Sequence, residues 1–316
     1  MAIVPLEFLK INIILGETIV SPIRWPMPEI SYTFKLRDGR NLGYAEYGKP
    51  DGIPVFYFHG YPGSRLEAGL ADKAALHGNF RFIGIDRPGY GLSDPKPGRT
   101  LMDWPDDVAE LADHLNFGKF HVVGLSGGAP YASACAWKIP SRLISAGIIS
   151  GLGPVDVPGL KSRLSVFQRF WFSAARNFPF IIKPSARIVG KMVCRHPDKF
   201  RSILKERTSE PDNRALDNPG ILGAFTSSFH EGLNRSTEGF HRDLLVYASP
   251  WGFKLEDIRC KVRIWHGEKD FIVHADFGRH YAKCIPGCQA EFFPDEGHFS
   301  LAGTKIEHML EGLAKT

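Results

Sequence analysis

The segment Val122–Ala129, which reads VVGLSGGA, constrains the fold more than any other part of the chain. An apolar run that favours a strand, Phe120–Val123, stops at Gly124. The small residues of Gly128–Ala136 then predict the start of a helix. Ser126 lies between them at the centre of a G-x-S-x-G pattern. This order predicts a strand, a sharp turn and a helix, with the serine on the turn.

The chemistry of a serine nucleophile explains why glycines surround Ser126. A hydroxyl group attacks well only when it stands clear of the backbone with a base beside it. A strained turn exposes the hydroxyl, and its close contacts favour neighbours without a Cβ, such as Gly124 and Gly128. The N–H group of Gly127 is also placed to meet a developing oxyanion. An ordinary strand-to-helix turn can carry the same pattern, so the rest of the chain must decide.

Composition and charge favour a globular protein and give no sign of nucleic-acid binding. The chain has 316 residues, 43% hydrophobic and 23% charged, which is ordinary for a globular protein. Residues 155–250 hold fifteen Lys and Arg against nine Asp and Glu, which we interpret as a solvated helical face. No basic motif interleaved with aromatic residues is present, so we expect a small-molecule substrate and no nucleic-acid partner.

The cysteines predict neither a disulfide framework nor a metal site. They are five in number and scattered: Cys135, Cys194, Cys260, Cys284 and Cys288. Disulfide frameworks are denser and even-numbered, so we expect reduced thiols and a cytoplasmic protein. The pair Cys284 and Cys288 lacks a second Cys or His pair at ligand spacing. We expect no metal and no organic cofactor.

Residues 1–30 are interpreted as an N-terminal strap packed on the fold. They have no basic leading region and no uncharged span of membrane length, so neither a signal peptide nor an integral membrane span is expected. A peripheral membrane contact is the alternative, because Ile3, Leu6, Leu9 and Ile13 could share one helical face.

Apolar runs alternate with helical patterns in residues 31–154 and 255–316. This rhythm predicts an α/β core with a doubly wound, mostly parallel sheet. Chemistry gathers at the carboxyl ends of the strands in such sheets, and the glycine-rich loops follow those ends. Strands are predicted within residues 32–36, 42–47, 55–58, 80–85, 120–123, 143–149, 261–265 and 289–293.

Residues 155–254 interrupt this rhythm with helical, proline-punctuated and aromatic sequence. The segment is too long to be a loop in a compact domain, so we interpret it as an inserted helical cap. Trp171 and Phe172 are candidate substrate-binding residues of this cap. The oligomeric state expected is a monomer or a homodimer.

Two later residues complete a candidate triad with Ser126. Asp270 follows a late strand and His298 follows the next one. His298 would take the proton of Ser126, and Asp270 would hold the imidazole in the correct tautomer. Asp156, at the start of the cap, is the weaker candidate for the acid.

Five motifs in order, HGYPGS, DRPGYG, GLSGG, HGEKD and DEGH, resemble those of α/β-hydrolase fold enzymes with an H-G-x-P loop. The resemblance covers residues 31–154 and 255–314. It implies that the backbone N–H groups of Tyr61 and Gly127 form the oxyanion hole, and that a helical cap shapes the pocket. His59, Gly60 and Pro62 are expected to support the oxyanion loop.

The expected function is that of a serine hydrolase acting on a small, largely apolar ester or lactone. A serine at the position where related epoxide hydrolases and dehalogenases carry aspartate favours an acyl-enzyme mechanism. A peptidase, an acyltransferase or a C–C bond hydrolase could use the same triad. A receptor or binding protein of this fold, with slow or no turnover, is an alternative of another class.

Overall fold

A computed structural model describes residues 31–316, so the predicted strap of residues 1–30 lies outside the described residues. Over the described range, eight strands form one sheet in the order β1-β2-β4-β3-β5-β6-β7-β8. The strands are β1 (Ser31–Lys35), β2 (Asn41–Gly48), β3 (Ile53–Phe58), β4 (Phe80–Ile85), β5 (Phe120–Leu125), β6 (Leu143–Ile149), β7 (Val262–Gly267) and β8 (Gln289–Phe293).

The sheet is antiparallel at one edge and parallel elsewhere. Strands β1 and β2 form a hairpin whose turn contains Gly39 at φ 88°, a conformation that glycine adopts without strain. Strand β2 pairs antiparallel with β4. All remaining pairs, from β4 through β3 and β5 to β8, are parallel. The predicted doubly wound, mostly parallel sheet is confirmed.

Helices cover both faces of the sheet, which explains the continuous apolar runs of its central strands. In β3, Phe56 and Phe58 point into one core cluster, and Val55 and Tyr57 point into another on the opposite face. The helices of the α/β layers are α1 (Asp72–His77), α2 (Trp104–His114) and α3 (Ala129–Lys138) before the insertion, and α11 (Ala275–Cys284), α12 (His298–Thr304) and α13 (Ile306–Ala314) after it.

A helical insertion lies between β6 and β7, at the place in the chain where the cap is predicted. Its helices are α4 (Pro158–Lys161), α5 (Val166–Asn177), α6 (Pro179–Arg195), α7 (Pro197–Lys205), α8 (Glu210–Ala215), α9 (Pro219–Asn234) and α10 (Glu238–Tyr247). The insertion contacts the core directly, since Ser64 N–H donates to Ser228 Oγ of α9 over 2.8 Å. The division of the chain into core and cap, with its boundaries, remains a prediction.

The turn between β5 and α3 packs against the end of β3 with no space for a side chain. A Cβ added to Gly128 would lie 2.1 Å from the carbonyl oxygen of Phe58. We therefore expect Gly128→Ala to lower the free energy of unfolding by about 1–3 kcal/mol, the usual cost of overpacking. Urea denaturation measures this change.

Gly159 provides the matched control for that substitution. It lies in α4, and a Cβ there would meet nothing within 4 Å. We expect Gly159→Ala to keep the stability of the wild type. Equal urea midpoints for the two variants would show that the turn tolerates a Cβ at Gly128.

Candidate active site

Ser126 occupies the turn that its sequence predicts. It follows β5 directly and has φ 54°, a left-handed conformation that costs free energy in a residue with a Cβ. The flanking glycines make this turn possible, because a Cβ on Gly124 would lie 2.4 Å from the carbonyl oxygen of Gly128. Ser126 is 8% exposed. The side chain is therefore held on a strained, mostly covered turn at the carboxyl edge of the sheet.

Asp270 and His298 meet at the same edge of the sheet. Asp270 follows β7, His298 follows β8, and His298 Nδ1 donates to Asp270 Oδ2 over 2.7 Å. The other carboxylate oxygen of Asp270 accepts the N–H groups of Ile272 and Val273 over 2.9 and 2.7 Å. These three bonds fix the carboxylate, which in turn fixes the imidazole ring and leaves Nε2 as the free ring nitrogen.

The electrostatics of this pair suit a general base. Burial by itself lowers the pKa of His298, but the Asp270 carboxylate outweighs it, so that the pKa lies above its ordinary value. Burial raises the pKa of Asp270, and the His298 contact reverses this, so that the pKa of Asp270 is lowered. Asp270 therefore stays ionised and favours the imidazolium that forms when His298 accepts a proton. Within residues 31–316, no hydrogen bond joins Ser126 Oγ to His298, so that contact remains a prediction.

The predicted oxyanion loop, residues 59–64, is held by hydrogen bonds to its carbonyl groups. The carbonyl oxygen of Gly60 accepts from Arg87 Nη2 over 3.0 Å and from His59 Nδ1 over 2.8 Å. Because a peptide unit is planar and its C=O and N–H point in opposite directions, this anchors the N–H of Tyr61 on the other side. The Tyr61–Pro62 peptide bond is cis. The geometry agrees with the predicted roles of these residues without testing them.

His59 braces the loop as a neutral imidazole. Its Nδ1 donates to Gly60, and its Nε2 accepts the N–H of Arg87 over 3.3 Å. Burial, followed by the positive charge of Arg87, lowers the pKa of His59 well below its ordinary value. A ring that donates through one nitrogen and accepts through the other requires the neutral form.

A similar anchor holds the Ser126–Gly127 peptide unit. The carbonyl oxygen of Ser126 accepts the N–H of Leu152 over 3.0 Å, which directs the N–H of Gly127 to the opposite side. A Cβ on Gly127 would lie 2.6 Å from Tyr247 Oη and 2.7 Å from Tyr61 Cβ. Only glycine fits between the two tyrosines at this position.

A buried ionic cluster connects the insertion to the oxyanion loop. Asp243, at the centre of α10, is fully buried, and its Oδ2 pairs with Arg87 Nη2 over 2.8 Å. Its Oδ1 accepts from Arg99 and, over 2.5 Å, from Tyr131. Burial raises the pKa of Asp243, but the two arginines override this and lower it. Tyr247 Oη completes the cluster by donating to the carbonyl oxygen of Gly127 over 2.9 Å.

A second residue of the insertion positions the helix that begins at His298. Asp212 of α8 accepts the N–H groups of Phe299 and Ser300 over 2.8 and 2.9 Å. A carboxylate at the N-terminus of α12 satisfies donors that the helix leaves unpaired. The sequence analysis missed Asp212 and Asp243. The partners through which they act on the site lie more than 85 residues away, and their local partners, Ser209 for Asp212 and Tyr247 for Asp243, do not indicate this role.

The predicted substrate-binding residues lie at the side of the insertion that faces Tyr61. Trp171 is 8% exposed and belongs to a small apolar cluster with Ala174, Ala175, Ile182 and Leu244. Phe172 is half-buried and packs against this cluster and against the main core. The Tyr61 ring packs against the same cluster and stacks on Phe240 with ring centroids 4.8 Å apart. These aromatic side chains border the oxyanion loop.

The described residues contain neither a candidate metal site nor a helix that could span a membrane. Residues 31–316 contain no group of three or more His, Cys, Asp or Glu side chains arranged to hold a metal ion. No described helix is both long enough and apolar enough to cross a membrane.

Comparison with known proteins then identifies the family. The sequence profile of the alpha/beta hydrolase fold matches residues 53–302. This chain belongs to the alpha/beta hydrolase fold family. The predicted resemblance and fold class are confirmed.

Similarity to individual members of the family is more limited. The chain is 35% identical over 157 residues to a non-heme chloroperoxidase of Streptomyces lividans, covering 46% of this chain and 55% of that protein. It is 32% identical over 276 residues to the dihydrolipoyllysine-residue acetyltransferase component of the acetoin cleaving system of Cupriavidus necator, covering 85% and 65%. The chain thus spans between half and two thirds of these two relatives.

Among solved structures, the fold is similar to a thermophilic esterase from Thermogutta terrifontis. The TM-score is 0.64 at 24% identity, over 90% of this chain and 97% of the esterase. This similarity establishes the fold alone.

The contact between Asp270 and His298 predicts which acid serves the base. Asp270→Asn should lower kcat by about 10⁴-fold, because the amide favours the wrong tautomer of His298, in which Nε2 carries a proton and cannot accept one from Ser126. The matched variant Asp156→Asn should keep kcat near the wild-type value, since Asp156 is exposed at the start of the insertion. Steady-state kinetics with a p-nitrophenyl ester measure both. A larger loss from Asp156→Asn would assign the acid to that residue instead.

Proposed function

We propose that this protein is a serine hydrolase that cleaves a small, largely apolar ester or lactone. The observation that carries the proposal is the hydrogen bond between His298 and Asp270, at the edge of the sheet where the strained turn presents Ser126. A buried carboxylate that orients a histidine, at the sheet edge where a strained turn holds a serine, is the arrangement that acyl transfer requires.

The reaction would begin with attack by Ser126 Oγ on the carbonyl carbon of the substrate. His298 Nε2 takes the hydroxyl proton as the O–C bond forms, and the imidazolium is stabilised by Asp270. The negative charge moves to the former carbonyl oxygen, where the N–H groups of Tyr61 and Gly127 would receive it. Their peptide units are already anchored, so little reorganisation is needed.

Collapse of this intermediate would release the alcohol and leave an acyl group on Ser126. The leaving oxygen takes the proton from His298 as its bond to carbon breaks. Water then attacks the acyl-enzyme, giving its proton to the same nitrogen, and the second intermediate releases the acid and restores Ser126. In a lactone, the alcohol and the acid remain parts of one molecule.

The preference for apolar substrates follows from the groups that border the oxyanion loop. Tyr61 stacks on Phe240 and packs against the apolar cluster that contains Trp171. Aromatic side chains bury large apolar areas and would favour an apolar acyl or alcohol group. We infer that the insertion selects among substrates.

The role of Ser126 is tested by covalent labelling. A fluorophosphonate probe should label the wild type once, and Ser126→Ala should remove the label, because the probe reacts with an activated serine hydroxyl. Intact-mass measurement reports the addition, and Ser133→Ala, on the buried side of α3, is the control. A label that persists in Ser126→Ala would exclude Ser126 as the nucleophile. Labelling of the wild type without multiple turnovers of p-nitrophenyl esters would favour a receptor or binding protein.

The role of the insertion is tested by shortening one aromatic side chain. Trp171→Ala should change the ratio of kcat/KM between long and short acyl chains more than it changes the rate on the shortest ester. The control is Phe180→Ala, because Phe180 is 73% exposed and should leave the preference unchanged. Rates on a series of p-nitrophenyl esters measure the effect. A uniform loss at every chain length would show that Trp171 only packs in the core of the insertion.

A further inference from the structure

Glu67 is a buried carboxyl group behind the oxyanion loop that the proposed mechanism does not use. It lies in the 3-10 helix Arg65–Ala71 and is 1% exposed. Its Oε1 accepts the N–H of Gly60 over 2.7 Å and the hydroxyl of Tyr57 over 2.9 Å. Burying a carboxyl group that accepts only these two hydrogen bonds within the described residues costs free energy, which indicates that Glu67 has a function at this position.

The hydrogen bond from Gly60 places Glu67 in direct contact with the oxyanion loop. The N–H side of the His59–Gly60 peptide unit is held by Glu67, and its carbonyl side is held by Arg87 Nη1. The next peptide unit carries the N–H of Tyr61. Glu67 and Arg87 therefore clamp the unit that precedes the proposed donor and fix its orientation.

Glu67 is also close to the reacting groups. A Cβ added to Gly60 would lie 3.5 Å from Glu67 Oε2 and 3.6 Å from Ser126 Cβ, so both side chains adjoin Gly60. Burial lowers the pKa of His298, and the negative charges of Asp270, Asp212 and Glu67 act together to raise it. The negative charge of Glu67 thus contributes to raising the pKa of the proposed base, His298.

The surroundings of Glu67 disfavour a permanent charge. It borders a cavity of about 10 Å³ that is also lined by Phe82, Ile149 and Ala302, enough space for about one water molecule. Burial raises the pKa of Glu67 to about 7. The groups that oppose this increase are the Gly60 amide, the Tyr57 hydroxyl of β3, Arg87 after β4 and His298 of α12.

We propose that Glu67 is a positioning residue for the oxyanion loop and that only its ionised form supports full activity. The proposal rests on the proposed serine hydrolase function. An ionised carboxylate accepts stronger hydrogen bonds than a neutral acid, so proton uptake loosens the Gly60 amide. It also removes a negative charge that stabilises the imidazolium of His298.

Two deprotonations then control kcat/KM as the pH rises. His298 must be neutral to accept a proton, and Glu67 must be ionised to hold the loop. Each group loses one proton, so a plot of log kcat/KM against pH should become steeper than one over the pH range in which Glu67 takes up its proton, and should return to a slope of one below that range, where the less active form with neutral Glu67 remains. If His298 acted alone, the slope would be one.

The experiment compares the pH profiles of three proteins on one p-nitrophenyl ester. We expect the slope to rise above one in this pH range for the wild type and to stay at one throughout for Glu67→Gln. The midpoint of Glu67→Gln should move to lower pH, because loss of the negative charge lowers the pKa of His298. Its plateau should fall roughly 10-fold, less than the 10²–10³ lost with an oxyanion donor. Glu46→Gln is the control, since Glu46 of β2 pairs with Arg81 of β4, and it should keep the wild-type profile.

Tyr57→Phe tests the same inference without removing the carboxyl group. The Tyr57 hydroxyl lowers the pKa of Glu67, so its loss should raise that pKa and move the upper part of the acid limb to higher pH. The region with a slope above one should remain. This variant also decides the question if Glu67→Gln does not fold.

Each outcome separates the two proposals. A wild type with neither turnover nor probe labelling would overturn the serine hydrolase function, and this inference with it. An active wild type with a slope of one would overturn the role of Glu67 alone. So would a Glu67→Gln profile that is lower at every pH but unchanged in slope and midpoint, or a Tyr57→Phe acid limb that does not move.

Discussion

The pairing of Arg87 with Asp243 connects the parts of this protein that the proposed chemistry needs. Arg87 follows β4, Asp243 belongs to α10 of the insertion, and both are fully buried. Removing one partner of such a pair would leave an uncompensated charge, at a cost of roughly 3–5 kcal/mol. The pair is further satisfied by Arg99, Tyr131 and the carbonyl groups of the oxyanion loop. The loop and the insertion are therefore held by one set of interactions.

The insertion consequently contributes to the site from two directions. Through Asp243 it holds Arg87, which donates to the carbonyl oxygens of His59 and Gly60, and through Tyr247 it donates to the carbonyl oxygen of Gly127. Through Asp212 it holds the start of the helix that carries His298. A change in the packing of the insertion would reach both the base and the donors. The proposed substrate selection by the insertion and the geometry of the proposed site are thus connected by hydrogen bonds.

Much of the core could be predicted because its signals are local. The bounds of β4, β6 and β8 coincide with the predicted segments, since apolar runs report burial within a few residues. The strained turn at Ser126 was predicted from its glycines, and its φ of 54° is what that pattern requires. At the C-terminal end of the core, the chain forms two helices, α12 and α13, which meet at Lys305.

The sequence by itself determined the order of the elements, the nature of the turn at Ser126 and the placement of Asp270 and His298 after successive strands, because these depend on short-range patterns. Only the tertiary structure decided which buried charges meet. Glu67 reaches Gly60 within one loop, but its effect on His298 and the contacts of Asp243 and Asp212 join residues far apart in the chain. Long-range ion pairs leave no periodic signal in the sequence, because the group that pairs with a buried charge can come from any part of the chain.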